Sequence, residues 1–136
     1  MAGSYRELLA QVKREIEEID PRSAGALLEG GEAVAVDVRE QNEWDEGHLP
    51  GAVHVPRGFL EQRIEQAAPD RHQPVVLYCA GGARSALAAK TLEELGYEDV
   101  RSLIGGFTDW KRSGFPTQLP KGLDADKRRR YSRHLL

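Results

Sequence analysis

The chain of 136 residues contains one cysteine, Cys79, which precedes a run of small residues. A lone cysteine cannot form an intramolecular disulfide, and without a second thiol it does not indicate a structural zinc site. Cys79 is therefore either an inert buried side chain or a reactive thiol. We favour the reactive thiol, because simple core packing does not need two glycines, an arginine and a helix start directly afterwards. The residues that follow are Ala80, Gly81, Gly82, Ala83, Arg84 and Ser85.

The elements around Cys79 predict how a thiol there would be activated. Residues 74–79 are a short apolar run typical of a buried strand, and residues 84–95 have helical spacing. In open α/β sheets, ligand sites lie at the carboxyl ends of the strands, where the next helix directs unpaired N–H groups at the loop. Gly81 and Gly82 allow the backbone to curl, so that several N–H groups can point at one sulfur atom. Such a loop would lower the pKa of Cys79 and would equally stabilise the anionic outer sulfur of a persulfide.

Short apolar strands and helical segments alternate along the chain. The predicted strands are 33–38, 52–55, 74–79 and 100–104, and the predicted helices are 22–29, 59–67, 84–95 and 107–112. This alternation predicts an α/β fold with a parallel sheet that helices cover on both faces. An amphipathic helix is predicted over residues 4–18, and Pro21 breaks the pattern after it. We therefore expect the N-terminus to be an arm rather than a core strand.

Composition and charge exclude several classes of protein. With 40% hydrophobic and 30% charged residues, the chain is expected to fold rather than to stay disordered. We see no membrane-spanning run and no secretory signal, so we expect a cytoplasmic protein with no membrane partner. Residues 121–136 carry six Lys or Arg against two Asp, a net charge of +4, which leaves −7 for residues 1–120 in a total of −3. The basic tail lacks interleaved aromatic residues, and nucleic acid is therefore not an expected partner.

Three motifs, distributed along the chain, match one family. They are Cys79 to Arg84, a cysteine and an arginine with four residues between them; Asp37-Val38-Arg39 with Glu43-Trp44 and the Gly-His-Leu-Pro-Gly-Ala of 47–52; and the Leu-Ile-Gly-Gly-Phe-Thr-Asp-Trp of 103–110. In these motifs residues 17–115 resemble the rhodanese-like sulfurtransferases. The resemblance implies a rhodanese-like α/β fold with a mostly parallel sheet of about five strands and helices on both faces. It implies an enzyme that uses neither a cofactor nor a metal.

The resemblance also implies roles for the residues of the loop. Cys79 is the expected nucleophile, which takes a sulfane sulfur from a donor and passes it to a thiophilic acceptor in two displacements. Residues 80–85 are expected to surround that sulfur with backbone donors. Arg84 has two interpretations, which stay open at this point: it orients an anionic donor, or it holds the loop by pairing with an acid such as Asp37 or Glu43.

Four further residues outside the loop are candidates for the site. Arg39 is a candidate for contact with the donor at the rim. Asp37, Glu43 and His48 are expected to support the site or to fix turns rather than to react, since an ionised thiol needs no general base. Because Arg84 is the only charged residue of the loop, we expect weak turnover of the dianion thiosulfate. A protein persulfide, for example on a cysteine desulfurase, is then a credible donor.

Two other functions are compatible with the same fold. Related cell-cycle phosphatases have five residues between the cysteine and the arginine, whereas this chain has four, which suits a single sulfur rather than a tetrahedral phosphate. A catalytically idle module for docking or regulation is the second alternative. The presence of Cys79 and of its small loop favours the enzyme over that module.

The end of the chain resembles a second family. The Arg-Tyr-Ser-Arg-His-Leu-Leu of 130–136 resembles the opening segment of the adenylyltransferases of molybdopterin and thiamine synthesis. This implies that an adenylyltransferase domain follows in a longer protein, and that the sulfur acceptor is a ubiquitin-like sulfur carrier. The expected organisation is an N-terminal helix over 1–18, a rhodanese-like domain over 19–116 and a basic linker and tail over 117–136. No phosphate-binding glycine motif is visible, so we do not expect nucleotide binding by this chain.

Overall fold

A five-stranded sheet organises residues 3–120, the part of the chain that the computed structural model describes. Its strands are β1 (Glu17–Ile19), β2 (Val34–Asp37), β3 (Val53–His54), β4 (Val75–Tyr78) and β5 (Val100–Leu103). The spatial order is β1-β5-β4-β2-β3, and every neighbouring pair is parallel. The predicted α/β fold with a parallel sheet of about five strands is confirmed.

Residues 3–120 also form six α-helices and one 3₁₀ turn. They are α1 (Tyr5–Glu15), α2 (Pro21–Glu29), α3 (Gln41–Asp45), the 3₁₀ turn Arg57–Phe59, α4 (Leu60–Ala67), α5 (Ala83–Glu94) and α6 (Gly106–Arg112). One face of the sheet packs on α1, α4 and α5, and the other packs on α2 and α6. Within residues 3–120, no helix is both long and apolar enough to span a bilayer.

Strand β4 lies in the middle of the sheet and is buried on both faces. Val75 and Leu77 belong to the core on the side of α1, α4 and α5, whereas Val76 and Tyr78 belong to the core on the side of α2 and α6. Successive side chains of a strand point to opposite faces, so a continuous apolar run is what a strand between two helical layers requires. The strand that leads to Cys79 is therefore fixed by packing from both sides.

The expected structure of the N-terminal segment is wrong in one respect. The helix ends at Glu15 rather than at residue 18, and the next residues form β1 at the edge of the sheet. Pro21 begins α2 and restricts Asp20 to extended backbone, which favours a strand before it. The free edge of β5 then pairs with β1, and Ile19 becomes buried against Leu103 and its neighbours. The arm is thus part helix and part strand.

The apolar stripe of α1 packs on its own domain. Val12 and Ile16 are buried in the core that α5 also lines, and the Glu15 carboxylate lies 3.0 Å from the Lys90 ammonium on α5. Helix α3 was not predicted; it is one short turn between β2 and β3. Of the predicted linker and tail over 117–136, residues 121–136 lie outside the described residues.

Candidate active site

Cys79 is the first residue after β4, and the chain turns there at the carboxyl edge of the sheet. The residue is 1% exposed. The loop after it closes at Gly82, which has a φ of +107°, a left-handed conformation that favours glycine, and α5 begins at the next residue. Gly81 is exposed, and Ala80 and Ala83 are half-buried. Gly81 is therefore the residue of this loop that is most open to solvent.

Three groups of the loop contact the sulfur atom of Cys79. The N–H of Gly82 lies 3.1 Å from Sγ, the N–H of Ser85 lies 3.4 Å from it, and the Ser85 hydroxyl lies 3.5 Å from it. Burial raises the pKa of Cys79, but the hydroxyl and N–H of Ser85 and the N–H groups of Gly82 and Gly81 outweigh that effect. The pKa of Cys79 is consequently below the ordinary value for a cysteine, and the thiolate is the favoured nucleophile.

The backbone carbonyls of Cys79 and Ala80 accept hydrogen bonds from the start of α6. Phe107 N–H donates to Cys79 O at 2.8 Å, and Thr108 N–H donates to Ala80 O at 3.1 Å. The approach is so close that a Cβ on Gly106 would lie 2.6 Å from Ala80 O and would also overlap Cys79 O. The paired glycines of the third motif therefore allow α6 to bind the loop closely. In this arrangement the N–H groups of the loop point toward the sulfur.

Arg84 forms a bidentate ion pair with Glu43 on α3. Its terminal nitrogens lie 2.8 and 3.0 Å from the two carboxylate oxygens. The hydrogen bond from Arg84 lowers the pKa of Glu43 from 4.5 to about 2, against the effect of burial, and Glu43 in turn raises the pKa of Arg84. Of the two acids considered as partners, Asp37 is not the one that pairs with Arg84. Both terminal nitrogens that Arg84 could offer to an anionic donor contact Glu43 in this structure.

This ion pair predicts a loss of stability in acid. The folded pKa of Glu43 is depressed, so its contribution is present above about pH 4.5 and disappears as the pH falls toward 2. We expect Glu43→Gln to lower the free energy of unfolding at pH 7 by about 1–2 kcal/mol, after a discount for solvent screening, and to remove this acid dependence. Urea unfolding at pH 7, 4 and 3 measures this change in the free energy of unfolding.

The control is Glu61→Gln, which removes the ion pair of Glu61 with Arg57. That pair is more exposed to solvent, so the substitution should change the pH profile little. Parallel pH profiles for wild type and Glu43→Gln would contradict the prediction.

Arg39 is not at the rim, and the expectation of a donor contact there is wrong in its placement. The residue is 3% exposed, and its guanidinium contacts the carboxylate of Asp37 at 2.7 Å and Gly47 O at 2.6 Å. It also lies 4.2 Å from the centre of the Phe107 ring. Asp37 is fully buried, so the two charges neutralise each other inside the domain below the loop.

His48 fixes the turn that follows α3. Its Nδ1 lies 2.8 Å from Leu49 O, and its ring stacks on Trp44 with the centroids 3.6 Å apart. The N–H of Leu49 donates to the hydroxyl of Tyr78, the residue before Cys79, at 3.1 Å. Burial, and then Asp37, raise the pKa of that tyrosine. His48 thus lies in the turn that packs on the end of β4, with no contact to the sulfur.

The structure brings the loop residues together around the sulfur. It pairs Glu43 with Arg84, pairs Asp37 with Arg39, and places His48 in the turn after α3. Two further residues were missed. Gly106 belongs to the third motif, and its approach to the loop could have been inferred from the paired glycines. Ser102 lies on β5 with its hydroxyl oxygen 2.8 Å from that of Ser85, and a single serine in a strand carries no sequence signal. Within residues 3–120, no cluster of three or more His, Cys, Asp or Glu is arranged to hold a metal ion.

Comparisons with known proteins identify relatives of this chain. A family model described as the rhodanese-like domain matches residues 20–113. Thiosulfate sulfurtransferase GlpE of Coxiella burnetii is 37% identical over 94 residues, which cover 69% of this chain and 86% of that protein. Thiosulfate sulfurtransferase GlpE of Pseudomonas fluorescens is 40% identical over 108 residues, which cover 79% of this chain and 95% of that protein.

Solved structures share the fold. A protein of unknown function from Rhodopseudomonas palustris, described as a possible tyrosine phosphatase, is 33% identical with a TM-score of 0.76, and the match covers 87% of this chain and 96% of that one. A thiosulfate sulfurtransferase from Pseudomonas aeruginosa is 29% identical with a TM-score of 0.74, and the match covers 82% of this chain and 22% of that one. One of these two neighbours is named for sulfur transfer and the other is described as a possible phosphatase. The geometry of the site in this chain must therefore decide between the two reactions.

Proposed function

The chain belongs to the rhodanese-like domain family, and from this premise we propose that it is a sulfurtransferase that carries a sulfane sulfur atom on Cys79. The observation that supports this most directly is the convergence of donors on one atom, because the N–H groups of Gly82 and Ser85 both point at Sγ. Donors so placed stabilise a negative charge on Sγ. They can equally stabilise the charge of an outer sulfur bound to it.

The reaction consists of two displacements at sulfur. The Cys79 thiolate attacks the outer sulfur of thiosulfate, the S–S bond of the donor breaks, and sulfite leaves with the electron pair. With a protein persulfide as donor, the thiolate attacks the outer S–H sulfur and the donor thiolate leaves. A thiophilic acceptor then attacks the outer sulfur of the Cys79 persulfide, and the Cys79 thiolate leaves. No general base is required, because the attacking sulfur is already ionised.

The charges around the loop favour a protein persulfide over thiosulfate as donor. Arg84 is the only charged residue between 79 and 85, and Glu43 neutralises it. A dianion is bound most readily where several cationic groups face it, whereas a thiol persulfide carries less charge. Curated relatives are named for thiosulfate, so we propose that thiosulfate is accepted and that a protein persulfide, such as that of a cysteine desulfurase, is transferred faster.

Phosphatase chemistry is the second candidate, since one structural neighbour is described as a possible tyrosine phosphatase. Two features of this chain disfavour it. Only four residues separate Cys79 from Arg84, and the terminal nitrogens of Arg84, which a phosphate ester would need, contact Glu43. We therefore expect no turnover of p-nitrophenyl phosphate by the wild-type chain.

We also propose an acceptor, on the resemblance of residues 130–136 to the opening of an adenylyltransferase. In this proposal a separate adenylyltransferase domain first activates the C-terminal carboxylate of a ubiquitin-like sulfur carrier as an acyl adenylate. The outer sulfur of the Cys79 persulfide then attacks the acyl carbon, AMP leaves, and an acyl disulfide joins the carrier to Cys79. A thiol reductant breaks the S–S bond of that acyl disulfide and is itself oxidised to a disulfide, which releases the thiocarboxylate on the carrier and the thiolate on Cys79. A mass gain on such a carrier, which requires ATP, the adenylyltransferase and a loaded Cys79, would support it. Transfer to small thiols alone would contradict it and would leave the sulfurtransferase intact.

Intact-mass spectrometry tests the central proposal. The wild-type chain and Cys79→Ser are incubated with thiosulfate, and separately with a cysteine desulfurase and cysteine. We expect the wild type to gain the mass of one sulfur atom and Cys79→Ser to gain nothing, because a serine hydroxyl does not form a persulfide. Addition of dithiothreitol should remove the gain. If neither donor loads a correctly folded wild type, the chain is instead an idle docking or regulatory module.

A further inference from the structure

Two buried hydroxyl groups lie one behind the other next to the sulfur of Cys79. Ser85 on α5 and Ser102 on β5 are both fully buried, and their oxygens are 2.8 Å apart. The Ser85 oxygen also lies 3.5 Å from Cys79 Sγ and 3.3 Å from Gly82 O. Ser102 itself does not contact the sulfur. It can act on the sulfur only through Ser85.

The number of donors and acceptors decides the direction of the bond between the two serines. Each hydroxyl has one proton to donate and two lone pairs to accept with. Among residues 3–120, the Ser85 oxygen is the only hydrogen-bond partner of the Ser102 oxygen. A buried hydroxyl proton without an acceptor is unfavourable, so the proton of Ser102 must point at the Ser85 oxygen.

This direction leaves the proton of Ser85 free to turn. When Cys79 is a thiol, its S–H donates to the second lone pair of Ser85, and the Ser85 proton points at Gly82 O. When Cys79 is a thiolate, the Ser85 proton turns to the sulfur and donates to the negative charge. The bond from Ser102 is kept in both states, so it holds the Ser85 hydroxyl in place while its proton changes partner.

We propose that Ser102 is a positioning residue of the site: its hydroxyl donates to Ser85 and thereby keeps the Ser85 proton available to the anionic sulfur at Cys79. The inference rests on the proposed function, in which that sulfur is the carrier. It adds a residue of β5 to a site otherwise built from the end of β4, α3, α5 and the start of α6. The same bond would serve a thiolate and the inner sulfur of a persulfide, since both accept from Ser85.

The charged groups around Cys79 stay the same when Ser102 is changed. Arg84 is the charged residue of the loop, and Glu43 on α3 holds it. On the neighbouring strand, Asp37 pairs with Arg39 below the loop. On β5, the side chain that hydrogen bonds link to Cys79, through Ser85, is that of Ser102, which is neutral. A change in the titration of Cys79 after substitution of Ser102 therefore reports on the hydroxyl pair.

The test is a titration of the thiolate in the full chain by its ultraviolet absorbance, with Cys79→Ser as the blank. Because Cys79 is the only cysteine, the difference spectrum belongs to one group. We expect Ser102→Ala to move the midpoint to higher pH and to reduce the thiolate fraction about threefold to tenfold below that midpoint. Ser85→Ala should move it further. Ser102→Ala added to Ser85→Ala should change nothing more, because Ser102 acts through Ser85.

A second pair of variants controls for packing. Ser102→Thr and Ser102→Val share one shape and differ in the hydroxyl, so only the valine variant should show the higher midpoint. An unchanged midpoint in Ser102→Ala, equal midpoints for threonine and valine, or an additive effect of Ser102→Ala on Ser85→Ala would each overturn the proposal. The titration needs no sulfur donor. Failure of the proposed function therefore appears only in the mass measurement, where wild type would not load.

Discussion

Replacing Gly106 with alanine is expected to destabilise the folded chain by about 2–4 kcal/mol and to reduce sulfur loading of Cys79 at least tenfold, as an order-of-magnitude estimate. Gly106 has a φ of +57°, which strains any residue with a side chain. A Cβ there would also overlap the backbone oxygens of Cys79 and Ala80. Backbone oxygens cannot move aside as a flexible side chain can, so either α6 or the loop must shift.

A shift of α6 would break the bonds that orient the loop. The N–H groups of Phe107 and Thr108 would no longer hold the carbonyls of Cys79 and Ala80, and the N–H groups on the inner side of the loop would lose their aim at the sulfur. Sulfur loading is therefore expected to fall more than stability alone explains. Thermal or urea unfolding measures the first effect, and intact mass after incubation with thiosulfate, below the unfolding transition, measures the second.

Gly114→Ala is the matched control. Gly114 also has a positive φ, +83°, and a Cβ there would meet nothing within 4 Å. This variant should therefore lose only the cost of the left-handed conformation, about 1–2 kcal/mol, and should load sulfur normally once folded. Equal behaviour of the two variants would show that the close contact of Gly106 with the loop is unimportant.

The sequence predicted the part of the site that is formed by residues close together in the chain. A buried strand, a loop of small residues and a helix start are consecutive between residues 74 and 95, so the position of Cys79 at the sheet edge and the donors around it followed from the pattern. The edge strand β1 did not follow, because a three-residue strand of Glu17, Glu18 and Ile19 has almost no apolar signal. It forms because β5 offers a free edge, which is a property of the assembled sheet.

Partners distant in the sequence could not be assigned for the same reason. Arg84 is 41 residues from Glu43, and both Asp37 and Glu43 were chemically acceptable partners. In the structure, Asp37 instead forms an ion pair with Arg39, two residues away. The bond between Ser85 and Ser102 depends on how α5 packs across β5, and no motif contains Ser102. Sequence motifs thus indicated which residues matter more reliably than which residues they touch.

The second large effect concerns Arg39, whose guanidinium is buried with the carboxylate of Asp37. We expect Arg39→Ala to lower the free energy of unfolding by about 3–5 kcal/mol, because it leaves the Asp37 carboxylate buried and without its counterion. The loss is also expected to reach the loop, since the Arg39 guanidinium stacks on Phe107, whose N–H holds Cys79 O. Urea unfolding of wild type and variant at pH 7 measures the change.

The chain contains its own control for this prediction, a second Asp-x-Arg pair in a different environment. Arg101 contacts Asp99 at 2.9 Å with the same spacing of two residues, but both side chains are about one-third exposed. Solvent screens that pair, so Arg101→Ala should cost less than about 1 kcal/mol. A donor-binding role for Arg39 would give weaker sulfur loading together with a stability change no larger than that of Arg101→Ala. A difference of several-fold between the two variants in the free energy lost would instead establish that burial, rather than contact with the donor, sets the importance of Arg39.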